Sequence, residues 1–151
     1  AQSAVVIGGG FVGLEVASSL CQMGKSVTVL EALPRLMPRA TSSAISGWFG
    51  RRHTEQGVNL LFNARAEIIL NDGQGRAAGV RLTGGQTIAA DFVVAGIGVT
   101  PAVELAKAAG LTCSDGILVD SLTRTNDPSI FAAGDETNHP SAFSGGQLRL
   151  E

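Results

Sequence analysis

The sequence predicts an α/β fold, a parallel sheet flanked by helices and interrupted by an antiparallel meander. Three observations predict it. A short apolar run, Ala4 to Ile7, stops at three glycines and gives way to a stripe of Val12, Val16, Leu20 and Met23 at helical spacing. A second apolar run around Val27, Val29 and Leu30 completes a strand–helix–strand unit of about 30 residues. From Ala64 to Ala90 the period changes to short strand-like runs separated by Asn71-Asp72-Gly73 and Gly84-Gly85, which are strong turn signals.

Each element follows in order. Ala4-Val5-Val6-Ile7 is continuously apolar, as a parallel strand covered on both faces requires. Gly24 stops the first helix, and Pro34 and Pro38 break the chain into a loop after the second strand. A second helix is expected from Ser42 to Gln56, with Ile45, Trp48 and Phe49 as its apolar face and Gly57 as its stop. Val58 to Phe62 is expected as a third strand, and Ala64–Leu70, Ala77–Leu82 and Gln86–Ala90 as the meander. Phe92 to Ala95 returns to a buried strand, and a helix from Ala102 to Ala109 ends at Gly110. Gly116–Asp120 and Ser129–Ala133 read as two more short strands with little helix to cover them. Asn138 to Glu151 shows no clear periodicity.

Composition narrows the function classes. The 151 residues suit one average domain, and 16% charged residues is well under the usual ~25%. A net charge of −2 speaks against nucleic-acid binding, which needs a basic face. No apolar run approaches the ~18 residues of a membrane span. Cys21 and Cys113 form neither a redox pair nor a zinc-ligand pattern, and two free thiols fit a reducing, cytoplasmic compartment. His53 and His139 have no evident metal partners and read as surface or hydrogen-bonding histidines. The start at Ala1 and the end at Glu151 both read as cuts inside a longer protein.

The first chemical motif is Gly8-Gly9-Gly10-Phe11-Val12-Gly13, which fits G-x-G-x-x-G between a strand and a helix. Gly8 permits the tight turn, Gly10 lets a pyrophosphate approach the backbone, and Gly13 lets helix and strand pack closely. The helix start faces the phosphates with its favourable dipole end. This is the pattern of a dinucleotide-binding, Rossmann-like unit. Glu31, at the end of the second strand, is placed to accept the adenosine ribose hydroxyls, and its charge favours NADH over NADPH. Arg35 and Arg39 lie close behind and could instead accommodate a 2′-phosphate, contact the adenine or pyrophosphate, or be solvated loop charges. Glu15 lies on a helix face expected to be buried or turned to the cofactor, or it is an exposed carboxylate favouring the helix dipole. Ala95-Gly96-Ile97-Gly98 ends a strand where ligands of open α/β sheets bind, unless it is only a tight turn before Thr100-Pro101. Ile130 to Asp135 is a short strand ending in Gly134-Asp135, which offers a carboxylate and amides to a polar ligand or forms a common turn. No nucleophile elbow, zinc-protease helix, P-loop lysine or calcium loop is present, and no residue stands out as catalytic.

Taken together, residues 5–15 (VVIGGGFVGLE), 27–35 (VTVLEALPR), 95–101 (AGIGVTP), 124–135 (RTNDPSIFAAGD) and 149–151 (RLE) resemble the pyridine nucleotide–disulfide oxidoreductase superfamily. Within it the chain resembles the FAD-dependent ferredoxin reductases of the rubredoxin, putidaredoxin and rhodocoxin reductase type. The resemblance implies that residues 1–110 are an NAD(H)-binding domain. Residues 111–151 would be the returning segment of an otherwise absent FAD-binding domain. It also implies that Gly8, Gly10, Phe11, Val12 and Gly13 line the pyrophosphate turn, that Glu31 takes the ribose, and that Arg39 reaches the adenine or pyrophosphate. Glu15, Gly96, Ile97 and Gly98 would lie near the nicotinamide, Gly134 and Asp135 at the flavin, and Glu151 at the nicotinamide–flavin contact. Glu136-Thr137 departs from the small or apolar pair that relatives often carry.

The implied activity is hydride transfer from NADH to FAD, then single-electron transfer to an iron–sulfur protein, with the protein aligning the cofactors. This chain alone is expected to bind NADH weakly, to reduce nothing, and to self-associate through an exposed domain interface. Two alternatives remain at this stage, a non-catalytic nucleotide-binding module and a piece of a flavin-dependent disulfide reductase. An S-adenosylmethionine-binding domain shares the glycines, but the meander and the 124–135 motif argue against it.

Overall fold

The computed structural model describes residues 1–142 and 144–149. The chain divides into two compact units, Ala1–Ile97 and Gly98–Glu151. The boundary expected at Gly110 therefore lies inside the second unit.

The first unit is built on a four-stranded parallel sheet. Strands β1 (Ser3–Ile7) and β2 (Ser26–Leu30) are joined through helix α1 (Phe11–Gln22), and helix α2 (Ser43–Glu55) leads into β3 (Asn59–Leu61). An antiparallel meander follows, β4 (Ala66–Asn71), β5 (Ala77–Leu82) and β6 (Thr87–Ala89), and then β7 (Phe92–Ala95) rejoins the sheet. The order is β3-β2-β1-β7, and Val5 of β1 stands between Thr28 of β2 and Val93 of β7. This is the fold class expected from the sequence.

Period-two alternation sends successive side chains to opposite faces of the sheet. Val5 and Leu30 pack on one face against Val80 and Leu82 of the meander. Val6, Val27 and Val29 pack on the other with Ala17 of α1 and Val58. Both faces are covered, so the strands read as unbroken apolar runs. At the open end of β1, the Asp91 carboxylate accepts the amides of Gln2 and Ser3, the latter at 3.0 Å. These two bonds hold its carboxyl below the ordinary range.

Several expectations need correction. The buried side of α1 is Gly13, Leu14 and Ala17, while Val12 and Met23 of the expected stripe are exposed. In α2 only Phe49 of the expected apolar face packs inward. Ile45 and Trp48 are exposed, and the helix buries Ser46 and His53 instead. His53 is buried because its ring nitrogens meet two backbone carbonyls, Phe49 at 2.9 Å and Leu14 of α1 at 3.2 Å. Strand β7 is half-buried rather than buried, since it lies at the sheet edge and, among the described residues, pairs only with β1.

The second unit contains helix α3 (Glu104–Ala108) and a sheet ordered β10-β9-β8. Its strands are β8 (Ile117–Leu118), β9 (Thr137–Ser141) and β10 (Gly146–Leu148). Strands β9 and β10 form an antiparallel pair in the segment where no periodicity was legible. The strand expected at Ser129–Ala133 does not form. Asp127 accepts the amide of Ser129 on its side chain and that of Ile130 on its carbonyl. Among the described residues this turn leaves a single bridge, Phe131 to Arg124.

Candidate functional site

The glycine-rich turn connects β1 to α1, and its geometry separates glycines that the protein itself requires from one that it does not. Gly8 donates its amide to the Leu30 carbonyl at 2.8 Å and has φ +107°, in the left-handed region. A β-carbon there would stand 2.3 Å from the Gly96 carbonyl oxygen. At Gly13 a β-carbon would stand 2.0 Å from the Gly8 carbonyl oxygen, so the start of α1 lies directly on the strand end. At Gly9 it would meet the Leu36 side chain at 2.8 Å and the Glu31 carboxylate at 2.9 Å.

Gly10 is different. Its φ of −81° is open to any residue, and a β-carbon there would meet nothing within 4 Å. Gly10 is also the N-cap of α1, which has no side-chain cap and no acidic residue in its first turn. An uncapped helix start with open space beside its glycine suits an anion approaching the backbone amides. These residues fit the pyrophosphate of a dinucleotide.

Glu31 stands behind the turn and is only 8% exposed. One carboxylate oxygen accepts the Gly9 amide at 2.8 Å and the other accepts the Leu33 amide at 2.8 Å. Its carboxylate thus joins the end of β2 to the turn. Each oxygen keeps acceptor capacity for a ribose hydroxyl.

The structure brings most of the sequence-predicted residues of the first unit together. Gly96 lies beside Gly13, and the Ile97 side chain reaches within 3.5 Å of the β-carbon position at Gly8 while remaining 75% exposed. Phe11 and Val12, at the first turn of α1, are exposed as well. Glu15 is exposed rather than buried, because it falls outside the face formed by Gly13, Leu14 and Ala17. Arg39 is exposed at the loop. Arg35 is not offered to solvent as a phosphate ligand would be. Its guanidinium donates to the Thr41 carbonyl at 2.8 Å, the Ser46 hydroxyl at 2.7 Å and the Pro38 carbonyl at 2.7 Å.

Gly98, Gly134 and Asp135 belong to the second unit. Thr137 fixes the Gly134 turn by donating both its amide and its hydroxyl to the Gly134 carbonyl, at 2.9 and 2.7 Å. Gly134 and Asp135 are exposed on an open cleft of about 340 Å³ that Thr123, Thr137 and His139 also line. Glu151 lies outside the described residues. Among the described residues no group of three potential metal ligands occurs, and no helix is long and apolar enough to cross a membrane.

The sequence reading missed the contribution of Leu36 and Met37, which pack on Leu14 of α1. It also did not foresee that the largely buried guanidinium of Arg149 pairs with Asp115 at 3.2 Å. The two prolines marked the loop, but no local pattern shows that it folds back onto the glycine turn.

With this geometry in place, comparison with known proteins fixes the class. Residues 1–147 match the family described as pyridine nucleotide-disulphide oxidoreductase, and the chain belongs to that family. It is 48% identical to rhodocoxin reductase of Rhodococcus erythropolis over 99% of its own length and 35% of that protein's. Against rubredoxin-NAD(+) reductase of Pseudomonas putida the identity is 41%, covering 99% of the chain and 38% of the relative. Among solved structures, the ferredoxin reductase for the CYP199A2 system from Rhodopseudomonas palustris superposes with a TM-score of 0.91 at 42% identity, over 99% of this chain and 37% of that one. Putidaredoxin reductase in its covalent complex with putidaredoxin gives 0.88 at 34%, over 99% and 36%. The chain thus spans roughly a third of the length of these relatives.

Proposed function

We propose that the chain is the NADH-binding part of a flavoprotein oxidoreductase that passes hydride from NADH to FAD and single electrons onward to an iron–sulfur protein of the ferredoxin or rubredoxin type. The observation that carries the reading is Gly10. It is the one glycine of the turn that the protein's own packing leaves unexplained, and it sits at an uncapped helix start with the Glu31 carboxylate close behind. Relatives named as reductases of rhodocoxin, rubredoxin and terpredoxin support the direction of electron flow.

In this reading residues 1–110 bind NADH and residues 111–151 begin the return to the flavin domain. Gly8, Gly10, Phe11, Val12 and Gly13 form the pyrophosphate turn, Glu31 accepts the ribose hydroxyls, and Arg39 reaches the adenine or pyrophosphate. Glu15, Gly96, Ile97 and Gly98 lie along the nicotinamide, with Ile97 shielding its ring from water. Gly134 and Asp135 present amides and a carboxylate to the flavin's ribityl–phosphate portion. When bound, the nicotinamide supplies a hydride and the flavin accepts it and releases single electrons. The chain's residues bind, orient and exclude water. Cys21 and Cys113 are free, which suits the reducing cytoplasm.

Calorimetric titration of the 151-residue chain with NADH and with NADPH tests the reading. NADH is expected to bind about tenfold or more tightly than NADPH, because a 2′-phosphate would meet a carboxylate already fixed by two amides. Binding of neither nucleotide, or an equal affinity for both, would contradict it.

A further inference from the structure

We infer that Arg35 is a positioning residue for nucleotide binding: it ties residues 35–46 into a polar knot that grips the backbone of the glycine turn and aims the Gly10 amide. The inference rests on the reading of that turn as the NADH site, and it assigns Arg35 a part other than phosphate contact.

The guanidinium is a planar fork whose donors diverge in fixed directions. Here it joins the Pro38 and Thr41 carbonyls to the hydroxyl of Ser46, on the first turn of α2. Ser46 passes the link on, donating its own proton to the Leu36 carbonyl at 2.6 Å. The loop and the start of α2 are thereby one body.

That body meets the turn through Leu36 and Met37, both buried. The Leu36 side chain occupies the space where a β-carbon of Gly9 would be, at 2.8 Å. Met37 has φ +44°, a left-handed conformation that a residue bearing a β-carbon keeps only when its surroundings hold it. The knot holds it there. The Met37 carbonyl accepts the amides of Ala40 and Thr41 at 3.1 Å each and the Thr41 hydroxyl at 3.2 Å. Its amide is then free of the loop and donates to the Gly9 carbonyl at 3.0 Å.

This last bond is the functional link. The Gly9 carbonyl and the Gly10 amide belong to one planar trans peptide group, so the C=O and N–H bonds point in opposite directions. A grip on the carbonyl from the Met37 side therefore turns the Gly10 N–H away from Met37. Glu31 holds the preceding amide, at Gly9. Both faces of Gly9 are pinned, and the open residue of the turn inherits a fixed orientation.

Four chains test this: wild type, Arg35→Lys, Ser46→Ala, and Val80→Ala as a core variant on the meander side of the sheet. Each is read by calorimetry with NADH and NADPH, and by amide hydrogen exchange, well below its melting temperature. Arg35→Lys and Ser46→Ala are expected to speed exchange at Met37 about tenfold or more, with the Val80 amide unaffected. They are expected to weaken NADH and NADPH alike by about tenfold, the scale seen when a residue that orients a binding group is lost. Val80→Ala lowers the melting temperature but keeps NADH affinity within about twofold, as a distant site should. Unchanged Met37 exchange in Arg35→Lys, or an equal affinity loss in Val80→Ala, overturns the inference. Weakening of NADPH alone returns Arg35 to a phosphate ligand and also overturns it. If wild type binds neither nucleotide, the reading of the turn fails and the inference with it. If wild type binds and Arg35→Lys binds equally well, the inference alone fails.

Discussion

A methyl group at Gly13 is expected to cost about 3 kcal/mol or more of stability, at or beyond the top of the usual range for overpacking. The added carbon would stand 2.0 Å from the Gly8 carbonyl oxygen, a backbone atom that no side-chain rotation can move aside. Relief requires the start of α1 to lift from β1, which exposes Leu14 and Ala17, two of the buried residues of the helix. Since domains are stable by only about 5–15 kcal/mol, the Gly13→Ala chain should melt far below wild type. Thermal and urea unfolding monitored by circular dichroism measure this directly. Unfolding midpoints matching wild type would show that the helix start does not lie on the strand end as described.

The second large effect is expected at Glu31. Glu31→Ala removes the acceptor of two backbone amides, those of Gly9 and Leu33. A buried amide left without an acceptor costs about 1–3 kcal/mol, and the Gly9 bond is buried. Water can reach the Leu33 amide more readily, since that bond is only part-buried. The variant should therefore lose stability and nucleotide affinity together. Glu31→Gln keeps one acceptor oxygen and is expected to lie between the two in stability, while binding NADH weakly because its NH₂ group cannot accept a ribose hydroxyl. Unfolding in urea beside NADH titration separates the two effects. An alanine variant as stable as wild type would contradict the structural half, and wild-type affinity in the glutamine variant would contradict the ribose half.

What the sequence made legible follows from how local each signal is. The strand–turn–helix context of Gly8 to Gly13 and the apolar runs of β1 and β2 are set by neighbours in sequence, and they stand where expected. The meander was announced by its turns. The faces of the helices were harder to read. Val12 satisfies helical spacing yet is exposed, because the buried side of α1 is set by the close approach at Gly13, a tertiary fact. Ser46 and His53 look polar and are buried, since they meet partners outside α2, namely Arg35 and Leu36 for Ser46 and Leu14 for His53. The β9–β10 pairing was hidden for a related reason. Asn138 is buried and His139 half-buried in a strand with no apolar alternation to mark it. At the site, the carboxylate of Glu31 could be placed at a strand end, but not its bonds to Gly9 and Leu33. Those bonds make Glu31 a part of the fold as well as a candidate ligand.

The most direct measurement is NADH titration of the Gly10→Ala chain, with its stability measured beside it. The protein leaves the β-carbon position at Gly10 empty and its backbone conformation ordinary, so folding should survive within about 1 kcal/mol, the scale of an N-cap change. The methyl would nevertheless stand in the path of a pyrophosphate, and affinity for NADH should fall about tenfold or more, which is about 1.4 kcal/mol. A folded Gly10→Ala chain that binds NADH as wild type does would contradict the assignment of this turn as the dinucleotide site.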